Sequence, residues 1–327
     1  MLHRLGHDPM TNLEATSING KVVWHEDRNP LGEYGFDYNV LTHRTELQFP
    51  QLKALTLAVD YRDQRREGHK QSYSISHCDN CHIVSEAHPI QEKTEDVVLE
   101  ANVGWKGGAA TVAFASRELR QDYSHRMYTF DDALHPELQK PVFDNRLQYD
   151  SAEGALPVDM WPNIDKDTAR FDLVLNNVAG FVVNGGAVWS ETQNGYTGLK
   201  SDYSGYLLHA ARRLGKAWRL RWRGRVYNIS NQDVFVDTNE RISIAGSHVG
   251  QTYEDVYGRN FDWVRYSVLN RDAFESKLDL SYRIGREAGT FKFEWYYDTI
   301  DREYYQVLPG EFQTTTNRVG VTWRARP

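Results

Sequence analysis

Only two cysteines and four methionines occur among the 327 residues, and no stretch approaches the roughly 20 consecutive apolar residues that a membrane-spanning helix needs. That second absence excludes a polytopic helical membrane protein. A basic surplus is missing too: the net charge is -7 and the pI is near 6.0, so no overall basic field attracts nucleic acid. The opening MLHRLGHDPM carries neither the apolar run nor the small-residue cleavage site of an export signal. No Gly-rich phosphate cradle, nucleophile elbow or HExxH occurs, so no enzyme activity is expected.

What is abundant is aromatic: 19 Tyr, 13 Phe and 9 Trp, residues that favour strands and form interfacial girdles in membrane barrels. Residues 277 to 284 place Leu278, Leu280, Tyr282 and Ile284 on one face and Lys277, Asp279, Ser281 and Arg283 on the other. Past a Gly-bounded turn, Phe291, Phe293, Trp295 and Tyr297 alternate against Lys292, Glu294, Tyr296 and Asp298, which predicts a hairpin. The rhythm recurs around Lys106-Gly107-Gly108, Ala179-Gly180 and Leu214-Gly215-Lys216, after Pro50, and in a last run through Val319, Val321 and Trp323. Two weaker runs lie at residues 19 to 24 and 34 to 47. Period-two apolarity leaves the average hydropathy low, here -0.65, while giving each strand one face for lipid.

The prediction is an all-β chain: a transmembrane, antiparallel, up-and-down β-barrel of about 12–14 strands, each near or above the 9 to 11 residues of a tilted crossing. It forms one domain over residues 1 to 327 in the bacterial outer membrane, with outer-membrane lipid around it. An exported barrel needs a signal, so the sequence is expected to be mature, rebuilt or a piece of a longer gene. Tight turns mark one end; long polar connections at 66 to 93, 122 to 167 and 230 to 262 mark the other, matching periplasmic and extracellular sides. A soluble β-sandwich or lipocalin-like barrel is the rival architecture.

Both cysteines fall in His77-Cys78-Asp79-Asn80-Cys81-His82, within the connection at 66 to 93. Cys-x-x-Cys-His is the spacing of c-type haem attachment, in which two thiols become thioethers and the following histidine ligates iron. On this reading the chain carries one haem c on Cys78, Cys81 and His82, with His69, His77 and His88 as candidates for a sixth ligand. His77, adjacent to Cys78, fits a neighbouring haem better than the same one. A Cys78–Cys81 disulfide and a zinc site remain alternatives.

The run SYSISHCDNCHIV, then DVVLEANVGWKGGAATVAFASREL, then a loop with Tyr149-Asp150 and Leu156-Pro157 before KDTARFDL, resembles decahaem-cytochrome-associated outer-membrane porins of the MtrB/PioB type. The resemblance spans roughly residues 40 to 325. It implies a barrel that sheathes a multihaem c-type cytochrome for electron transfer across the outer membrane. Such barrels are longer than this chain and usually end in an aromatic residue, whereas here the end is Arg324-Ala325-Arg326-Pro327, so a fragment or a shortened relative is expected.

One row departs from ordinary strand chemistry. Arg219, Arg221, Arg223 and Arg225 alternate with Trp218, Leu220, Trp222 and Val226. Four arginines cannot sit unpaired in a packed core, so they face water or acidic partners and, in a barrel, line the lumen. They contact a threaded cytochrome, or form a solvated stripe balanced by Glu100, Asp172, Asp279 and Glu294. The alternative function is a diffusion porin passing small anions, with a loop disulfide.

Overall fold

The computed structural model describes the chain outside residues 1–12, 19–20, 28–33, 76–80, 123–125, 129–155, 159–160, 237–249, 260–261, 286–288, 306–307 and 326–327. Its elements are almost all strands. β1 (Leu13–Ile18) and β2 (Lys21–Asp27) form a short hairpin. Next come β3 (Gly35–Gln48), β4 (Leu55–Ile75), β5 (Cys81–Trp105) and β6 (Gly108–Gln121), then the small ribbon of β7 (Arg126–Tyr128) and β8 (Leu156–Val158). β9 (Ile164–Val178), β10 (Phe181–Asn194), β11 (Lys200–Leu214) and β12 (Trp218–Asn231) continue the sheet. A second ribbon, β13 (Val234–Val236) with β14 (Trp263–Arg265), brackets the helix α1 (Tyr253–Tyr257). β15 (Arg271–Gly285), β16 (Gly289–Tyr305) and β17 (Leu308–Arg324) complete the order.

Eleven strands form one antiparallel up-and-down ladder, β3-β4-β5-β6-β9-β10-β11-β12-β15-β16-β17. Counting β1 and β2, which join through a parallel pairing of β2 with the start of β5, the sheet has 13 strands. The expected 12 to 14 therefore holds for the sheet but not for the meander. The short terminal hairpin attaches beside the start of β5 and adds no crossing. Among the described residues, no ladder joins β3 to β17.

Pairing register makes the faces continuous. Leu57, Ala101, Val112, Phe171, Ala187, Tyr206, Val226 and Phe274 are successive partners across eight strands. Strand stagger carries the band onward through Leu280, Phe293 and Val321. The opposite face carries Arg44, Asp60, Glu100, Arg170, Asp172 and the arginines of β12. At the turn end, Trp218 packs on Tyr282 with ring centroids 4.4 Å apart and Phe291 stacks on Trp323 at 6.2 Å, an aromatic rim to the band.

Packing leaves this band exposed. The buried apolar residues among those described are Ala58, Ile90, Ala113, Ala187 and Ala273, whereas Leu99, Val112, Phe114, Tyr206 and Val226 are each about half exposed or more. A water-soluble β-sandwich buries its large apolar side chains, and soluble monomers rarely expose apolar patches beyond a few hundred Å². This sheet does the reverse: its large apolar side chains lie on an exposed face and not in a sandwich core.

Local chemistry sets the ends. The β9–β10 turn holds Asn177, Ala179 and Gly180 at φ of 64°, 51° and 80°, left-handed values that only glycine adopts without cost. Helix α1 is closed by a capping box: Asp255 N–H donates to Thr252 Oγ1 at 3.2 Å, and the Asp255 carboxylate accepts the Thr252 N–H at 2.9 Å.

The reading of 66 to 93 as an unpaired loop is corrected. β4 and β5 pair without interruption from Leu55↔Val103 to Ile75↔Ile83. This stretch lacks the strict apolar alternation of the band, and Gly68 and Pro89 imitate loop punctuation. Pro89 is tolerated because, among the described residues, no strand ladder runs along the edge of β5 away from β4 between Ser85, where β2 ends, and Glu92, where β6 begins. The connection at 122 to 167 yields β7, β8 and the start of β9; that at 230 to 262 yields β13 and α1.

Candidate functional site

Two features carry chemistry: the charged face of the sheet and the far end of the β4–β5 hairpin. On the charged face, Arg44 bridges three strands, with Nη1 to Asp60 at 2.6 Å, Nε to Glu46 at 2.7 Å and Nη2 to Glu100 at 3.5 Å. Across β6, Arg170 reaches Glu100 at 3.6 Å and Asp172 at 2.8 Å. Small residues permit this: Ala58 and Ala113 lie buried beside Glu100 in the ladder, so long side chains cross above them. Two arginines thus share four carboxylates, Glu46, Asp60, Glu100 and Asp172.

The arginine row supplies the opposite sector. Arg223 pairs with Glu275 at 2.6 Å and Arg221 with Asp279 at 3.4 Å. Arg225 donates to Tyr203 Oη at 3.2 Å and lies 4.6 Å over the Tyr227 ring. Arg219 is exposed near the turn end, opposite Arg213 and Ser281. Lys292 and Lys277 hold Glu294 at 2.5 and 3.1 Å, and Lys292 also reaches Asp279 at 3.4 Å. Cations outnumber carboxylates here, so β12–β16 form a basic flank of the polar face, whereas on β3–β9 the two signs balance, with Arg66 on Glu92 and Arg117 on Asp96 beside the Arg44 and Arg170 clusters.

Of the four balancing acids expected, only Asp279 meets the arginine row. Glu294 serves two lysines, while Glu100 and Asp172 serve Arg170. Glu275 was missed, as were Arg44 and Arg170. Cross-strand ladders pair residues far apart in sequence, and alternation alone names a face without naming a partner.

At the hairpin end, Cys81 and His82 begin β5, opposite Val23 and Trp24 of β2. His77 and Cys78 lie outside the described residues. His69 is exposed opposite Pro89, and His88 is fully buried opposite Lys70. The Lys70 ammonium sits 2.9 Å from the Trp161 ring centroid, which packs the approach to β9 against this hairpin. Six and seven residues of extended ladder separate His82 from the levels of His88 and His69, roughly 20 Å at the strand rise. One iron cannot bind His82 together with either of them, so neither serves as sixth ligand to a haem on His82. From Tyr61 at the end of the band to Ile75 is about 45 Å of strand, so Cys81 and His82 stand well beyond the apolar band.

No family model matches the chain, and no curated protein matches it. Among solved structures, the siderophore receptor PiuA from Acinetobacter baumannii is similar over 88% of this chain and 44% of its own, with a TM-score of 0.39 and 9% identity. The chain thus spans less than half the length of that receptor.

Proposed function

We propose that this chain is part of the wall of an outer-membrane barrel, and that its charged face sheathes or docks a multihaem c-type cytochrome so that electrons cross the membrane shielded from lipid. The continuous apolar band, backed on every strand by a polar face, supports this most strongly: only a closed sheet satisfies its backbone in hydrocarbon while keeping charge inside. The resemblance of the cysteine motif and the hairpin after it to cytochrome-associated porins gives the sheath its cargo. The basic flank would orient a cytochrome by a complementary patch, its haem propionates against Arg221, Arg223 and Arg225.

A haem on this chain would be held by Cys78 and Cys81 through thioethers and by His82 through iron, and would supply reversible one-electron chemistry. Placed at the far end of the β4–β5 hairpin, such a group would stand clear of the lumen as a contact for an external electron partner. Its sixth ligand would come from His77 or another chain, because His69 and His88 are too distant. Pyridine haemochrome spectra and haem staining on a denaturing gel test this, using the chain exported with the cytochrome maturation machinery. Covalent haem that disappears in Cys78→Ala supports the reading; no haem, with both thiols oxidised, overturns the haem on this chain.

The second reading, a diffusion porin for small anions with a Cys78–Cys81 disulfide, is favoured by the basic flank. Stable large anion-selective conductance in planar bilayers without cytochrome, lowered when Arg221 and Arg223 are replaced by alanine, selects it.

A further inference from the structure

Charge is sorted by sign at one end of this sheet. The tight turns of the ladder and the end of β17 lie along one margin of the apolar band, at residues 48–55, 104–108, 176–181, 212–219, 283–290 and 322–325. Their described residues hold eight cations and no carboxylate, although the whole chain has 45 acidic side chains against 38 lysines and arginines. Arg286 and Glu287, outside the described residues, add one charge of each sign. Lys53, Lys106 and Lys216 are exposed in the turns, and Arg212 shares the apolar face with its ladder partner Leu220. Arg213, Arg219, Arg283 and Arg324 lie on the charged face. None of the eight makes an ion pair among the described residues, whereas at the other end of the same strands Lys200 meets Glu191 at 2.7 Å and Arg120 meets Asp165 at 2.5 Å. Beside the turn cations stand aromatic side chains of the apolar face: Trp105, Phe181, Trp218, Tyr282, Phe291 and Trp323, each within three residues of a strand end. The Arg212 guanidinium lies 5.3 Å over the Phe181 ring, its stem on apolar surface and its donors without a carboxylate, the posture of a cation at a membrane surface.

We propose that the turn end of this sheet binds the headgroup phosphates of anionic glycerophospholipids through Lys53, Lys106, Arg212 and Lys216. The inference rests on the membrane reading above and adds the lipid class that this margin takes. An apolar band ends at the headgroup level, where aromatic rings form its rim, so a cation just past that rim meets phosphate and not hydrocarbon. Tight turns keep the charges there, because they extend only a few residues beyond the strands. They also mark the periplasmic side of an outer-membrane barrel, whose leaflet is made of glycerophospholipid. A zwitterionic headgroup offers a phosphate whose field its own ammonium cancels, whereas a net anionic one gains about fivefold in affinity for each lysine or arginine near the surface. The four arginines of the charged face are divided from lipid by the sheet itself and make no headgroup contact. They would serve an acidic protein at the lumen mouth, which is the rival partner.

The test folds the full chain into phosphatidylcholine vesicles and floats them on a density gradient, which reports on the membrane reading by itself. Electron spin resonance with a trace of spin-labelled phosphatidylglycerol or phosphatidylcholine then gives the relative affinity of the two lipids for the protein. The expected result is a preference for phosphatidylglycerol of roughly twofold or more, diluted because one leaflet of the two carries the site. It should fall to parity in about 1 M salt, a result read on the parent protein that needs no variant. It should also fall to parity in the combined variant Lys53→Gln, Lys106→Gln, Arg212→Gln and Lys216→Gln, and persist in the combined variant Arg213→Gln, Arg219→Gln and Arg283→Gln. Flotation with equal affinity for the two lipids overturns the inference and leaves the membrane reading standing. A parent that floats with neither phosphatidylcholine nor phosphatidylglycerol vesicles overturns both. A preference that resists salt, or survives loss of the four turn-end cations, overturns the inference as well. So does a preference lost as fully with the three arginines of the charged face, which assigns the charge to an acidic partner at the lumen mouth.

Discussion

Leu99 and Val98 are neighbours on β5 that point to opposite faces, which allows one substitution to measure the solvent on each side. Leu99 lies between Val59 and Phe114 in mid-band and is 52% exposed, while Val98 lies between Asp60 and Ala115 on the charged face. Were the outer face in water, Leu99→Arg would cost little, since exposed substitutions usually change stability by less than about 0.5 kcal/mol. In hydrocarbon, arginine near the midplane of a barrel costs about 2–4 kcal/mol. That range corresponds to roughly 30- to 900-fold in the folding equilibrium. Val98→Arg places its guanidinium beside Asp60 and should stay within about 1 kcal/mol of the parent. Equilibrium urea unfolding in lipid vesicles, followed by tryptophan fluorescence, compares the three proteins. Equal losses for the two variants, or a Leu99→Arg loss below about 0.5 kcal/mol, would refute the assignment of the apolar face to lipid.

The remaining predictions address single contacts. Arg223→Ala removes a half-exposed pair with Glu275, so stability should fall by no more than about 1 kcal/mol while anion preference in bilayer conductance declines; unchanged selectivity would remove Arg223 from the lumen. Ala179→Gly relieves a left-handed backbone at φ 51° and should stabilise the sheet by about 1 kcal/mol, read from the shift of the urea midpoint; no gain or a loss refutes the strain. The backbone N–H and hydroxyl of Thr252 hold the Asp255 carboxyl below its ordinary value of 3.8. With the folded value depressed, the stabilisation of α1 is complete above 3.8 and is lost as pH falls through the lower folded value. Amide shifts of Thr252 and Asp255 should titrate together with a midpoint below 3.8, and a midpoint above it contradicts the capping geometry.

Alternation of Leu278, Leu280 and Tyr282 against Lys277, Asp279 and Ser281 is local and repeats every two residues, so strand identity and the two faces were legible before any coordinate. Gly-bounded turns fixed where hairpins reverse: β5 and β6 meet at Trp105 and Gly108, and β11 and β12 at Leu214 and Trp218. The haem-type spacing at Cys78, Cys81 and His82 is equally local. Tertiary structure alone placed residues 66 to 75 and 81 to 93 in a ladder, because outside the apolar band a strand is defined by its partner's hydrogen bonds and not by its own pattern. It separated His69 and His88 from His82, since an extended strand spends about 3.3 Å on each residue between them. It chose Glu275 for Arg223 and Glu100 for both Arg44 and Arg170, pairings that register sets across strands distant in sequence. And it gave β3 and β17 the same direction, because direction follows from the number of strands in the ladder, which no single strand encodes.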